Sequence, residues 1–158
     1  MASFRFIHCA DLHIDSPLRG LEADPDAPVG RIRSATRDAF VDLVDYAIDN
    51  QVDFVVAAGD LYDGDWPDWR TGQFLVRQVG RLSKSQIPFI AIRGNHDAQS
   101  VITRQLRLPD GARQLSAAAA ETYCLDRFDV RIHGQSFPTA AVKEDMTKHY
   151  PAGDDGKF

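Results

Sequence analysis

The sequence has little cysteine, no long apolar run and no excess of positive charge, and each absence excludes something. Two cysteines in 158 residues, Cys9 and Cys124, rule out a disulfide-framed scaffold and a cysteine-rich zinc module. Each sits in an apolar stretch, so both are expected as buried thiols in a reducing, cytoplasmic setting. No window approaches the eighteen consecutive apolar residues of a membrane span, and no membrane partner is expected. The N-terminus enters Phe4-Arg5-Phe6-Ile7 directly, without the tripartite pattern of a signal peptide. The net charge is -5, whereas duplex affinity rests on Lys and Arg neutralising phosphates. Two features soften that last exclusion. Several acids fall where bound cations would offset them, and fourteen of the eighteen basic residues are arginine, the better phosphate ligand.

What is present suits one globular domain: 158 residues, 44% of them hydrophobic. Phe4 to Ala10 reads as a buried first strand. Ile14 to Ile32 carries Pro17, Gly20, Pro25, Pro28 and Gly30 and reads as a loop. Ser34 is the expected N-cap of a helix whose apolar face is Phe40, Leu43, Val44, Ala47 and Ile48. Asp53 to Ala58 is a continuous apolar strand, Thr71 to Lys84 a second helix with the stripe Phe74, Leu75, Val79 and Leu82, and Pro88 to Ile92 a third strand. A short helix is expected over Ile102 to Leu108, and strands over Thr122 to Leu125 and Val130 to His133. The alternation of strand and helix predicts a parallel sheet with right-handed crossovers, whose ligands bind beyond the carboxyl ends of the strands.

Three short strings fall at those ends: Asp11-Leu12-His13, Gly59-Asp60-Leu61-Tyr62-Asp63 and Gly94-Asn95-His96-Asp97. Asp11 and His13 are two apart, so both side chains can reach one ion while Leu12 packs inward. Asp60 has two oxygens and can bridge two cations, which at roughly 3.5–4 Å apart hold both oxygens of an in-line phosphoryl displacement. Asn95 offers a neutral oxygen to a second ion. His96 can act on the leaving oxygen, and Asp63 can hydrogen-bond its imidazole. Each string alone has an ordinary reading as a turn or a helix cap. The three together, in this order, point to one site.

In Phe6-Ile7-His8-Cys9-Ala10-Asp11-Leu12-His13, Ala58-Gly59-Asp60-Leu61-Tyr62-Asp63 and Ile92-Arg93-Gly94-Asn95-His96-Asp97 the chain resembles the calcineurin-like metallophosphoesterase superfamily. More narrowly it resembles the DNA double-strand-break repair exonuclease branch, the SbcD-type nucleases and their YhaO-like relatives. Asp11 to Leu18 and His133 to Phe137 lean towards the YhaO-like group. The resemblance implies an α/β fold: the N-terminal half of a metallophosphoesterase sandwich over residues 1–158, a mostly parallel sheet with helices on its faces. It implies that Asp11 and His13 bind a first metal, Asp60 bridges, Asn95 binds the second, and His96 is the catalytic histidine oriented by Asp63. It further implies two divalent ions, manganese in this branch, DNA as substrate and an SbcC-type ATPase as partner.

The resemblance also marks a departure. Family members carry a further ligand histidine and a Gly-His-x-His string. Here only His133 and His149 follow the third string, and neither is expected to ligate. The chain therefore looks truncated, with weak or no activity by itself and a tendency to dimerise through an uncovered edge or face. Trp66 and Trp69 read as loop-pinning residues, with base stacking as the other reading. Arg31, Arg33 and Arg37 read as a solvated helix face paired with aspartates. The functional alternatives are a phosphodiesterase or phosphatase acting on a small nucleotide, and a non-catalytic dimerising scaffold for a partner ATPase.

Overall fold

The computed structural model describes residues 3–16, 28–63, 69–99, 106–153 and 158. Its elements are β1 (Phe6–Cys9), α1 (Val29–Asp49), β2 (Phe54–Ala58), α2 (Arg70–Lys84), β3 (Phe89–Ile92), α3 (Asn95–Gln99), β4 (Ala112–Gln114), β5 (Glu121–Leu125) and β6 (Val130–Gly134), with 3-10 turns at Asp126–Phe128 and Met146–His149. Strands β1 to β4 form one parallel sheet in the order β1-β2-β3-β4, and β5 and β6 form an antiparallel hairpin. This is the α/β architecture that the strand–helix alternation predicts.

Alternation along the strands sorts two cores. Val55, Ala57, Phe89 and Ala91 point to the face where α1 lays Phe40, Val44 and Ala47 and α2 lays Leu75, Val79 and Leu82. Phe54 and Ile90 point to the other face and pack with Leu115, Leu125 and Val130, so the hairpin covers what the helices do not. The hairpin turns at Asp129, in the left-handed region at φ 55°.

Several local expectations need correction. Ser34 is not an N-cap: α1 begins five residues earlier, and the Ser34 hydroxyl donates to the Arg31 carbonyl within the helix. Residues 29–32 are therefore helical, while 17–27 of the expected loop lie outside the described residues. β1 is not buried, because it is the edge strand, and Phe6 is 44% exposed. Cys124 is exposed on the hairpin and Cys9 is half-buried; both thiols are free. Burial pushes the Cys9 thiol up to about 11. Of the helix expected over 102–108, residues 106–108 are not helical and 102–105 lie outside the described residues. Trp69 does not pin its loop but stands 64% exposed at the start of α2, and Trp66 lies outside the described residues. Arg37 does pair with an aspartate, Asp15, and its guanidinium lies 4.9 Å over the Phe74 ring.

Candidate metal centre

The three strings meet because their strands are neighbours in register. Cys9 pairs with Ala57, and Ala58 with Ile92, so the three loops leave the sheet side by side. Backbone bonds continue past the strands. Asp11 N donates to Gly59 O at 3.1 Å, His13 N to Asp60 O at 3.0 Å and Ile14 N to Leu61 O at 2.9 Å. Along these bonds the first two strings leave the extended region: φ is 54° at Asp11, 42° at His13 and 50° at Asp60, and it is 60° at Asp15 just beyond the first. Such a run of non-glycine positive φ persists only where the surroundings over-determine it.

The second and third strings touch backbone to backbone. A Cβ on Gly59, at φ 93°, would lie 2.9 Å from the Cα and N of Gly94. A Cβ on Gly94 would collide with Asp60 Oδ1. Glycine is required at both positions by contact, and at Gly59 by conformation as well. His96 N donates to Asp60 Oδ1 at 2.9 Å, which fixes the carboxylate and leaves Oδ2 free of that bond.

Asp97 is the residue whose part the sequence reading missed. It is fully buried and accepts three backbone N–H bonds: Tyr62 on Oδ1 at 2.9 Å, with Leu61 and Gly94 each on Oδ2 at 3.1 Å. Burial raises its pKa, the three N–H bonds oppose that, and the charge of Asp60 adds to the rise. The bond back to Gly94, three residues earlier at the mouth of α3, is the reach of a capping box and was the available signal. The bonds to Leu61 and Tyr62 had no local signal, since they cross between loops 35 and 36 residues apart.

Asp11, His13 and Asp60 each present a ligand atom within 4.8 Å of the others; so, separately, do His13, Asp63 and His96. Among the described residues no Lys or Arg forms an ion pair with Asp11 or Asp60. Two carboxylates and an imidazole within this reach, with no Lys or Arg ion pair among the described residues, fit a divalent ion. Asn95 opens α3 between Gly94, which lies against Asp60, and His96, which holds it.

His96 Nδ1 lies 2.7 Å from Asp63 Oδ1, and Ser16 Oγ donates to Asp63 Oδ2 at 2.7 Å. The Ser16 bond, with the bond and charge of His96 and the charge of His13, outweighs burial and holds the Asp63 carboxyl below the usual range. The rings of His13 and His96 meet edge to face, centroids 5.1 Å apart. Behind them Asp15 receives Arg37 through a fork and the Thr71 hydroxyl, tying the first loop to α1 and α2. Burial alone would raise Asp15, but those bonds and the Arg37 charge lower it. His133 stands apart, its Nδ1 bonded to Thr122 Oγ1 at 2.8 Å across the hairpin.

Comparison with known proteins agrees with this geometry. The sequence profile of the calcineurin-like phosphoesterase family matches residues 4–146. The metallophosphoesterase YhaO of Bacillus subtilis is 30% identical over 161 residues, covering all of this chain and 40% of that protein. The DNA double-strand break repair protein Mre11 of Sulfurisphaera tokodaii is 29% identical over 103 residues, covering 65% of this chain and 24% of that protein. Mre11 of Sulfolobus acidocaldarius is 31% identical over 94 residues, covering 60% of this chain and 22% of that protein. The chain thus spans less than half the length of these relatives. With the profile running through all three strings, the chain belongs to the calcineurin-like metallophosphoesterase family.

Proposed function

We propose that this chain carries the N-terminal part of a metal-dependent phosphodiester hydrolase acting on DNA, with manganese as its ion. One observation carries the reading: three loops joined through their backbones gather Asp11, His13 and Asp60 within 4.8 Å, beside a His96–Asp63 pair at 2.7 Å. The family uses divalent metals, and the Mre11 relatives favour DNA over a small nucleotide.

In this reading Asp11 and His13 would hold a first ion, Asp60 would be shared with a second, and Asn95 would serve the second. The ions, when bound, supply a water nucleophile and neutralise charge on the phosphoryl oxygens. Asp63 accepts the Nδ1 proton of His96, which fixes the tautomer and leaves Nε2 to serve the leaving oxygen. Ser16 holds the other Asp63 oxygen, so the imidazole is oriented through two links.

The test is manganese binding by paramagnetic resonance, paired with cleavage of a labelled DNA duplex and of a chromogenic phosphodiester. Asp60→Asn should weaken manganese binding by at least about ten-fold, as direct ligands outweigh the outer contacts whose loss costs that much. Unchanged binding in that variant would refute the metal assignment. Cleavage of the chromogenic ester with no manganese-dependent cleavage of DNA would refute the substrate class.

A further inference from the structure

His13 belongs to two ligand sets of different chemical character. The set with Asp11 and Asp60 has two carboxylates and one imidazole. The set with Asp63 and His96 has two imidazoles and one carboxylate. Hard oxygen-rich sets suit manganese and magnesium, whereas imidazole-rich sets suit zinc, cobalt and nickel, which also bind a given site more tightly than manganese does.

We propose that His13, Asp63 and His96 form a second cation site, overlapping the first through His13, that selects zinc or a similar imidazole-seeking ion. Two histidines and a carboxylate are a common three-ligand zinc set, leaving the fourth position to water. The ligand atoms lie within 4.8 Å of one another. With zinc bonds of about 2.0–2.2 Å, tetrahedral neighbours sit roughly 3.4 Å apart, so atoms at the 4.8 Å limit must close by about 1.4 Å while the 2.7 Å contact of His96 with Asp63 opens by about 0.7 Å. The side chains have room for it: those of His13, Asp63 and His96 are 30%, 30% and 43% exposed. Ser16 holds Oδ2 and turns Oδ1 towards His96, and an ion taking both Oδ1 and His96 Nδ1 would replace the proton that they share at 2.7 Å.

The site has a consequence that rests on the proposed function. An ion there occupies His96 and Asp63 and withdraws His13 from the manganese set. Zinc would therefore switch the hydrolase off by taking its leaving-group imidazole, in competition with manganese for one shared ligand.

Binding can be read without activity. Zinc affinity of the purified chain is measured by competition with a chromophoric chelator, and manganese affinity is measured on the same samples. Asp63→Asn and His96→Gln should each weaken zinc by at least about ten-fold and leave manganese nearly unchanged; Asp11→Asn should do the reverse. His133→Ala, outside both sets, should change neither. Zinc affinity unaffected by Asp63→Asn and His96→Gln, or lost instead with Asp11→Asn, would overturn the proposal. The unaltered chain gives a second reading that does not depend on variants folding. Zinc should shift the ring resonances of His13 and His96 and not those of His8, His133 and His149; shifts at the latter three alone would overturn it. Failure here with manganese still bound through Asp60 leaves the proposed function standing, and loss of manganese binding alone leaves the zinc site standing.

Discussion

Asp97 and Asp15 show what one carboxylate does when it bridges segments distant in sequence. Asp97 satisfies three backbone donors, so Asp97→Ala leaves all three without it. At about 1–3 kcal/mol for each buried unsatisfied donor, unfolding in urea should show a loss of about 3 kcal/mol or more. Asp97→Asn, which keeps one acceptor oxygen, should cost less. Asp15 differs in having a cation as its partner, the Arg37 guanidinium. A carboxyl whose pKa is lower folded than unfolded adds stability above the unfolded value of about 3.9, and that stability is lost as pH falls through the folded value. Asp15 and Asp63 are both of this kind. Asp15→Asn should therefore destabilise the chain by about 1–3 kcal/mol at neutral pH, and the difference should vanish in acid. A difference that is the same at every pH would show that the charge is not what stabilises the loop.

At the scale of elements, glycines in similar-looking sequence have opposite roles. Gly80 lies inside α2, and a Cβ there would meet nothing within 4 Å. Gly80→Ala should stabilise the helix by about 0.5–1 kcal/mol, seen as a higher melting temperature. Gly94 begins the third string, and a Cβ there collides with the Asp60 carboxylate. Gly94→Ala should displace Asp60 and abolish manganese binding, even where circular dichroism shows the helices intact. Retained manganese affinity would mean that the loops separate without consequence. Helix α2 was legible because a single stripe, Leu75, Val79 and Leu82, sets its period. The start of α1 was not, because Pro28 precedes it without any side-chain cap and Ser34 offered a better local signal one and a half turns too late. Strand β4 is three residues long and its sequence, Ala-Arg-Gln, has no apolar period; it is a strand because β3 pairs with it.

For the whole molecule, the uneven cover of the sheet matters most. The hairpin packs over Phe54 and Ile90, while Phe6 remains 44% exposed on edge strand β1 and Phe158 is 74% exposed beside Phe4. Among the described residues β1 pairs in the sheet with β2 alone, and a sheet edge with aromatic surface next to it favours pairing with another strand. Self-association should appear as concentration-dependent sedimentation, and His8→Lys, a charge on the exposed side of β1, should reduce it without lowering the melting temperature. One species throughout a dilution series would contradict this. Among the described residues no helix is long and apolar enough to cross a membrane.

The sequence by itself determined the family, the parallel α/β layout and the three strings that fall at the strand ends. These depend on local chemistry: strand period, helix stripe, and ligand types set just past a strand end. Only the tertiary structure decided that β1 lies at an edge of the sheet, that Asp97 clasps the second loop to the third, that Ser16 and Asp15 stand behind the three strings, and that His13 lies within reach of both the Asp11–Asp60 and the Asp63–His96 groups. Those are contacts between segments tens of residues apart, fixed by register across the sheet, and no spacing along the chain encodes them.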